Sequence, residues 1–368
     1  MTGRIVVFGA TGYSGELTAQ ALVDLGQKPV LAGRSQAKLT QLSDRLGGLE
    51  TAVADVDHPQ SVQALVGPGD VLISLVGPFA RWGTPAVEAA VRAGAHYLDS
   101  TGEPPFIREV FRTWGPPART AGVGLVTAMG YDYVPGNLAA GLALADSEGR
   151  ATSVRVGYFV KGPMRPSGIS GGTRASLLGA LFEPGFAWRN GRLDDERAGL
   201  RAARFSVEGR RRDALSVGMS EHFGVPQAFP QVRDVDTYLG WFGPASRPVS
   251  LLSRTGGAVT ALPVVRRTTS RVFARLAKGS SGGPDLQQRE TYKTLVVAEA
   301  SDAAGRQVGR AVVQGVNPYD FTGRMLAVAA AHVAEHGFED VGALGPVAAF
   351  GLAGLERLVG EAGLHRSE

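Results

Sequence analysis

The sequence predicts a doubly wound parallel α/β sheet followed by a second α+β domain with a mostly antiparallel sheet. Three observations carry that prediction. Ile5–Phe8 is an apolar run of strand length that breaks at Gly9 into a glycine-spaced turn, and a helical pattern follows over residues 16–25. From there to about residue 140, strand-like and helix-like runs alternate, which is the pattern of a parallel sheet built from crossover units. Beyond it, Ser153–Lys161 alternates as an antiparallel strand does, and further short strand-like pieces run on to Trp241.

The opening turn, Gly9-Ala10-Thr11-Gly12-Tyr13-Ser14-Gly15, assigns a task to each glycine. Gly9 makes the tight turn, Gly12 lets backbone approach a diphosphate, and Gly15 lets the helix pack closely on the strand. The first-turn N–H groups and the positive end of the helix dipole then face the phosphates. Thr11, Tyr13 and Ser14 line the same turn. A Rossmann-type dinucleotide site is therefore expected at the head of the chain.

The second strand ends in Gly33-Arg34-Ser35, where an NAD-preferring protein carries an Asp or Glu for the ribose 2′-hydroxyl. Arg34 offers a guanidinium fork to a 2′-phosphate and Ser35 a hydroxyl donor, so NADP(H) is the expected cofactor. A helical pattern over 36–46 leads to a short strand at 51–54 and to Asp55 and Val56. These two are candidates for the adenine side of the site, or else form a local helix-capping turn before Ser61. The apolar strand at 70–76 exits through Gly77-Pro78-Phe79, which should border the cofactor unless Phe79 belongs to the core. A helix is expected over 85–94, then the strand His96–Asp99, whose exit loop carries Thr101 and Glu103. A helix over 105–114 precedes a strand at 124–128, which exits through Tyr131, Asp132 and Tyr133 toward Asn137 and an apolar helix. Three loops thus converge at one sheet edge.

Composition narrows the chemistry. The chain has 368 residues, 44% hydrophobic and 20% charged, enough for about two domains with substantial cores. It has no cysteine, which excludes thiolate nucleophiles, disulfides and Cys-ligated metals. A net charge of +4 gives no reason to invoke nucleic acid. No apolar stretch approaches membrane-spanning length and the chain enters its first strand at once, so a cytoplasmic location is expected.

In the second half, Ser170-Gly171-Gly172-Thr173 should open a helix to residue 181 with Thr173 toward substrate, and an arginine-rich polar segment covers 189–212. Residues 246–278 are basic and interleaved with apolar side chains. That stretch suits either the solvated face of a docked helix or contact with an anionic membrane or acidic carrier protein. Late strands are expected over 288–300 and Gln307–Gly315, with a sheet edge that could pair two copies as a homodimer. Helices follow over 319–335 and 346–362, the first carrying His332 and His336 one turn apart without a third metal ligand; no metal site is expected.

Several of these stretches together resemble the saccharopine dehydrogenase-like oxidoreductases, a family that includes trans-acting enoyl reductases. They are the opening glycine loop, Gly33-Arg34-Ser35, Val76-Gly77-Pro78-Phe79, His96-Tyr97-Leu98-Asp99-Ser100-Thr101-Gly102-Glu103, Gly130-Tyr131-Asp132-Tyr133-Val134-Pro135, Ser170-Gly171-Gly172-Thr173 and Gly283-Pro284 with Arg289. The resemblance implies a dinucleotide domain over 1–140, a substrate and oligomerisation domain over 141–315, and helices over 316–368 that return to the first domain. Before the returning helix this chain reads Val316-Asn317-Pro318-Tyr319, where relatives carry a glycine-rich loop; Tyr319 is a substrate-side candidate.

The implied activity is hydride transfer from NADPH to a C=N or C=C bond of a small metabolite. Asp132 and Glu103 are the first candidates for proton donor among the residues the loops offer, with Tyr97, Asp99 and Tyr131 beside them. Thr101, Tyr133, Asn137, Thr173 and Tyr319 are the candidates for holding substrate. Two alternatives stand beside this: an enoyl reductase acting on a carrier-bound polyketide or lipid, and a non-catalytic NADP-binding protein at a membrane.

Overall fold

The structure, a computed structural model, describes residues 3–162, 185–241 and 282–367. The chain divides into two compact units, Met1–Thr101 with Phe106–Val134 and Val316–His365, and Gly102–Pro105 with Pro135–Gly315 and Arg366–Glu368.

In the first unit the strands are β1 (Ile5–Phe8), β2 (Val30–Gly33), β3 (Thr51–Val53), β4 (Val71–Ser74), β5 (His96–Asp99) and β6 (Gly124–Val126), joined by the late strand Gly342–Ala343. Their order across the sheet is Gly342–Ala343, β6, β5, β4, β1, β2, β3, and every pairing is parallel. All four residues of β1 and of β4 are buried, as expected where helices cover both faces and strands need no polar side. Parallel pairing puts every strand exit on one edge. The order reverses between β1 and β4, which in open α/β sheets is where a ligand crevice forms.

Helix α1 (Tyr13–Asp24) follows β1 and α2 (Gln36–Arg45) follows β2. The long helix Pro318–His336 packs on α1 so closely that a Cβ on Gly323 would come within 3.0 Å of Leu17. Its start is held by Asn317, whose side chain accepts the N–H groups of Tyr319 and Asp320, both at 3.0 Å.

The second unit is built on β7 (Ser153–Lys161), β8 (Phe186–Arg189), β9 (Arg192–Asp195), β10 (Ala202–Val207), β11 (Arg210–Ser216), β12 (Asp234–Leu239), β13 (Lys293–Ser301) and β14 (Gln307–Gly315). Along the sheet the order is β10, β11, β12, β7, β13, β14, with β8 and β9 attached beside β12. Only the β12–β7 pair among these is parallel. Phe159, Phe205, Tyr238, Leu295 and Val297 form the core against it.

Three expectations need correction. The strand expected from residue 288 begins at Lys293, because Asp285 caps a short helix, Leu286–Glu290, by accepting the Gln288 N–H at 2.8 Å. The helix expected over 346–362 is broken at Gly351, whose φ of +65° ends Pro346–Phe350 before Leu352–Glu361 starts. The helix expected over 105–114 spans Pro104–Glu109, widens into a π turn at Val110–Trp114 and continues as Gly115–Ala121. The arginine-rich segment folds into hairpins, with Arg201 bridging Glu196 at 2.6 Å and Asp236 at 2.9 Å. The expected helix at 170–181, Thr173 and the basic stretch 246–278 lie outside the described residues.

Candidate active site

The loop after β1 is stitched to the strands on either side. Gly9 and Ala10 donate to the Ala32 carbonyl at 2.9 and 3.1 Å, and Leu75 N–H donates to the Phe8 carbonyl at 2.8 Å. Gly9 stands at φ +90°, and a Cβ there would meet the Leu75 backbone at 3.0 Å. A Cβ on Gly15 would come within 2.2 Å of the Gly9 carbonyl oxygen, so only glycine lets α1 start against its own loop. Gly12 sits at the helix N-cap and brings no capping side chain. The first-turn N–H groups of α1, those of Ser14 and Gly15 among them, have no carbonyl partner inside the helix. This is a cradle for oxygen ligands.

At the end of β2, Arg34 is exposed, with no carboxylate paired to it among the described residues. Ser35 caps α2 by accepting the Lys38 N–H at 3.4 Å. Thr11 Oγ1 lies 3.8 Å from where a Gly33 Cβ would stand, so the glycine loop and the β2 exit adjoin. Gly77 and Pro78 are accessible at the exit of β4, whereas Phe79 is buried with its ring 5.6 Å from that of Phe106. The Phe79 ring is thus part of the core. Asp55 makes a local turn, accepting the Asp57 N–H at 3.1 Å while Ser61 braces its backbone, and Val56 packs on the core. The Asp55 carboxylate thus closes a local turn and caps no helix, since the helix Pro59–Gln63 starts at His58 without a side-chain cap. A guanidinium paired with no carboxylate among the described residues, together with the glycine cradle, fits a dinucleotide bearing a 2′-phosphate.

The exits of β5 and β6 are joined through Asp99, which is fully buried. Its carboxylate accepts the N–H groups of Thr101 and Ala128, at 2.8 and 2.9 Å, and the Thr127 hydroxyl at 2.8 Å. Burial nevertheless outweighs these donors and raises the carboxyl to about 6. The loop beyond runs Met129, Gly130, Tyr131, Asp132. Part of Asp132 stays accessible to solvent while the surrounding protein strips most of its hydration, which pushes its carboxyl up to about 7. Tyr131 and Tyr133 are buried; the N–H of Tyr131 donates to Thr322 Oγ1 at 3.0 Å and that of Tyr133 to the Ala128 carbonyl at 2.7 Å. Tyr319 meets Tyr13 edge-on, centroids 5.4 Å apart. Thr101 is fully buried beneath this edge.

Asp132, Tyr131, Thr101, Tyr133 and Tyr319 therefore belong to the unit that holds the glycine loop, whereas Glu103 and Asn137 belong to the second unit. Both of these are buried, and Asn137 Nδ2 donates to Ser220 Oγ at 3.1 Å. In the same unit lies a group that sequence reasoning did not single out. Tyr158 accepts the Gly136 N–H at 2.9 Å and donates to Glu221 Oε1 at 2.6 Å, with Glu221 fully buried at the start of the helix Glu221–Ala228. An acidic residue among Met219, Phe223 and Val225 was its one local signal. His332 and His336 stack at 4.8 Å, and among the described residues no group of three or more His, Asp or Glu is arranged to hold a metal. Among those residues, too, no helix is long and apolar enough to cross a membrane.

The strand order and the glycine loop are those of a dinucleotide-binding domain. Residues 5–126 match the family model of the saccharopine dehydrogenase NADP-binding domain, so this stretch is an NADP(H)-binding domain of that kind. The chain is 37% identical over 190 residues to a Mycobacterium tuberculosis protein whose name proposes a trans-acting enoyl reductase, covering 48% of this chain and 44% of that protein. It is 38% identical over 141 residues to the trans-acting enoyl reductase of Mycobacterium ulcerans, covering 37% and 34%. The matched stretch spans less than half the length of these curated relatives. The fold is that of the apo saccharopine dehydrogenase (L-Glu forming) from Saccharomyces cerevisiae, with a TM-score of 0.59 over 99% of both chains at 13% identity. The expected resemblance to saccharopine dehydrogenase-like oxidoreductases, and the parallel-plus-antiparallel fold, are borne out.

Proposed function

We propose that this protein is an NADPH-dependent reductase that saturates a polarised C=C bond of an acyl thioester, with Asp132 as the proton donor. The observation that carries the proposal is Asp132 itself, a carboxyl raised to about 7 on the exit loop of β6, in the unit whose β1 loop and Arg34 fit the dinucleotide. When bound, NADPH would supply the hydride for the β-carbon of the enoyl group. The chain's own part is to hold the diphosphate on the first turn of α1, to hold the 2′-phosphate at Arg34, and to deliver a proton from Asp132 to the α-carbon. A carboxyl near neutrality keeps a large protonated fraction while remaining a competent acid.

The similarity to proteins named as trans-acting enoyl reductases supports an enoyl substrate presented on a carrier. A second reading, reduction of a C=N bond, draws on the same carboxyl, since its ionised form would stabilise an iminium. Turnover of NADPH against a panel of enoyl thioesters and cyclic imines separates the two: oxidation by enoyl thioesters alone supports the first, and by imines alone the second.

A further inference from the structure

The helix Pro318–His336 reaches two loops of the first unit within one turn. On one side Gly323 lies against Leu17 of α1, and the Tyr319 ring meets Tyr13 of the glycine loop. On the other side is Thr322. Its hydroxyl donates to the Pro318 carbonyl at 2.8 Å, which leaves its lone pairs as acceptors for the Tyr131 N–H at 3.0 Å. Its methyl and hydroxyl fill the place where a Cβ on Gly130 would stand, at 2.8 and 3.0 Å. Thr322 therefore grips both residues that precede Asp132 in the chain, by a backbone hydrogen bond at one and by contact at the other. Asn317 fixes the start of the same helix.

We propose that Thr322 is a positioning residue for Asp132: it fixes the backbone from which the carboxyl projects and ties that backbone, through one helical turn, to the loop that opens α1. The inference rests on the reading of Asp132 as proton donor. Thr322 is 191 positions from Tyr131, the residue whose N–H it accepts.

The test compares Thr322→Val, which keeps the shape and loses the acceptor, with Thr322→Ser, which keeps the hydroxyl. Three quantities are read in the full chain: the NADPH dissociation constant, kcat against pH with an enoyl thioester, and the titration of the Asp132 carboxyl by 13C NMR without nucleotide. Thr322→Val is expected to lower kcat about ten- to a hundredfold through displacement of the acid. It should also shift the Asp132 titration midpoint while changing the NADPH constant less than about threefold, and Thr322→Ser should stay within about threefold of the parent in kcat. An unshifted midpoint and unchanged kcat in Thr322→Val overturn the proposal, as does an equal loss in both variants, or a loss of NADPH binding in proportion to turnover. If Asp132→Asn turns over like the parent, the proton-donor reading fails; the carboxyl titration of Thr322→Val still reports separately whether Thr322 governs the placement of Asp132.

Discussion

The carboxylate of Asp99 accepts the N–H of Ala128 at 2.9 Å, and Ala128 is held at φ +59°, a left-handed conformation that a residue with a side chain seldom takes. The strained residue and the buried acid explain each other. Two N–H groups and a hydroxyl converge on one carboxylate, and the chain turns at Ala128 to start the loop that carries Asp132. Asp99→Ala would leave these buried donors without an acceptor and should cost about 2–4 kcal/mol of stability. Asp99→Asn should cost less than half of that, because its oxygen still accepts both N–H groups and the Thr127 hydroxyl can turn to accept. Denaturant unfolding of the two variants checks the order.

Gly15→Ala tests the glycine cradle. Its Cβ would lie 2.2 Å from the Gly9 oxygen and 2.7 Å from that of Ala10, both backbone atoms that cannot swing aside. The helix must move off the loop. A loss of about 1–3 kcal/mol in stability is expected, together with weakened binding of both NADPH and NADH in titrations of intrinsic fluorescence.

Arg34→Ala separates the two nucleotides. Removing a charge-assisted contact to the 2′-phosphate should weaken NADPH binding by about ten- to a hundredfold and leave NADH unchanged. Equal losses for both would show that Arg34 serves some other part of the site.

Asp99, raised to about 6, and Asp132, raised to about 7, both bind their protons more tightly folded than unfolded. Their contribution to stability is complete below about pH 4 and is lost as pH rises through 6 and 7. The buried His222, lowered to about 4 by desolvation, acts the other way: its contribution is present above about 6.5 and is lost as pH falls toward 4. Thermal melts between pH 4.5 and 8 should therefore show a smaller loss on the alkaline side for Asp132→Asn than for the parent chain. The same ionisation should make hydride transfer fall off above about pH 7, where the donor is ionised.

What could be read from the sequence was what local chemistry decides. The glycine loop, the apolar strands on either side of it and Arg34 at the end of β2 each announce themselves within a dozen residues, and the parallel sheet follows from their alternation. Phe79 was ambiguous because a ring at a strand exit can turn either way, and its partner Phe106 lies 27 positions on. Residues 288–290 looked strand-like because they run into an apolar strand, while the Asp285 cap that starts a short helix there weighs little in a pattern count. Thr322 and the Tyr158–Glu221 pair were invisible for a different reason. Their significance lies in hydrogen bonds to distant backbone and side chains, and nothing about an isolated threonine or tyrosine reports them.

The most direct test of the central claim is a single turnover: the protein loaded with NADPH is mixed with an enoyl thioester in a stopped-flow instrument, and the loss of nicotinamide absorbance is followed for the parent chain and for Asp132→Asn. Oxidation of NADPH by the parent, slowed about a hundredfold or more in Asp132→Asn with the nucleotide still bound, is the result expected of a reductase with this acid. Tight NADPH binding without oxidation by any enoyl thioester, or oxidation indifferent to the loss of Asp132, would contradict it.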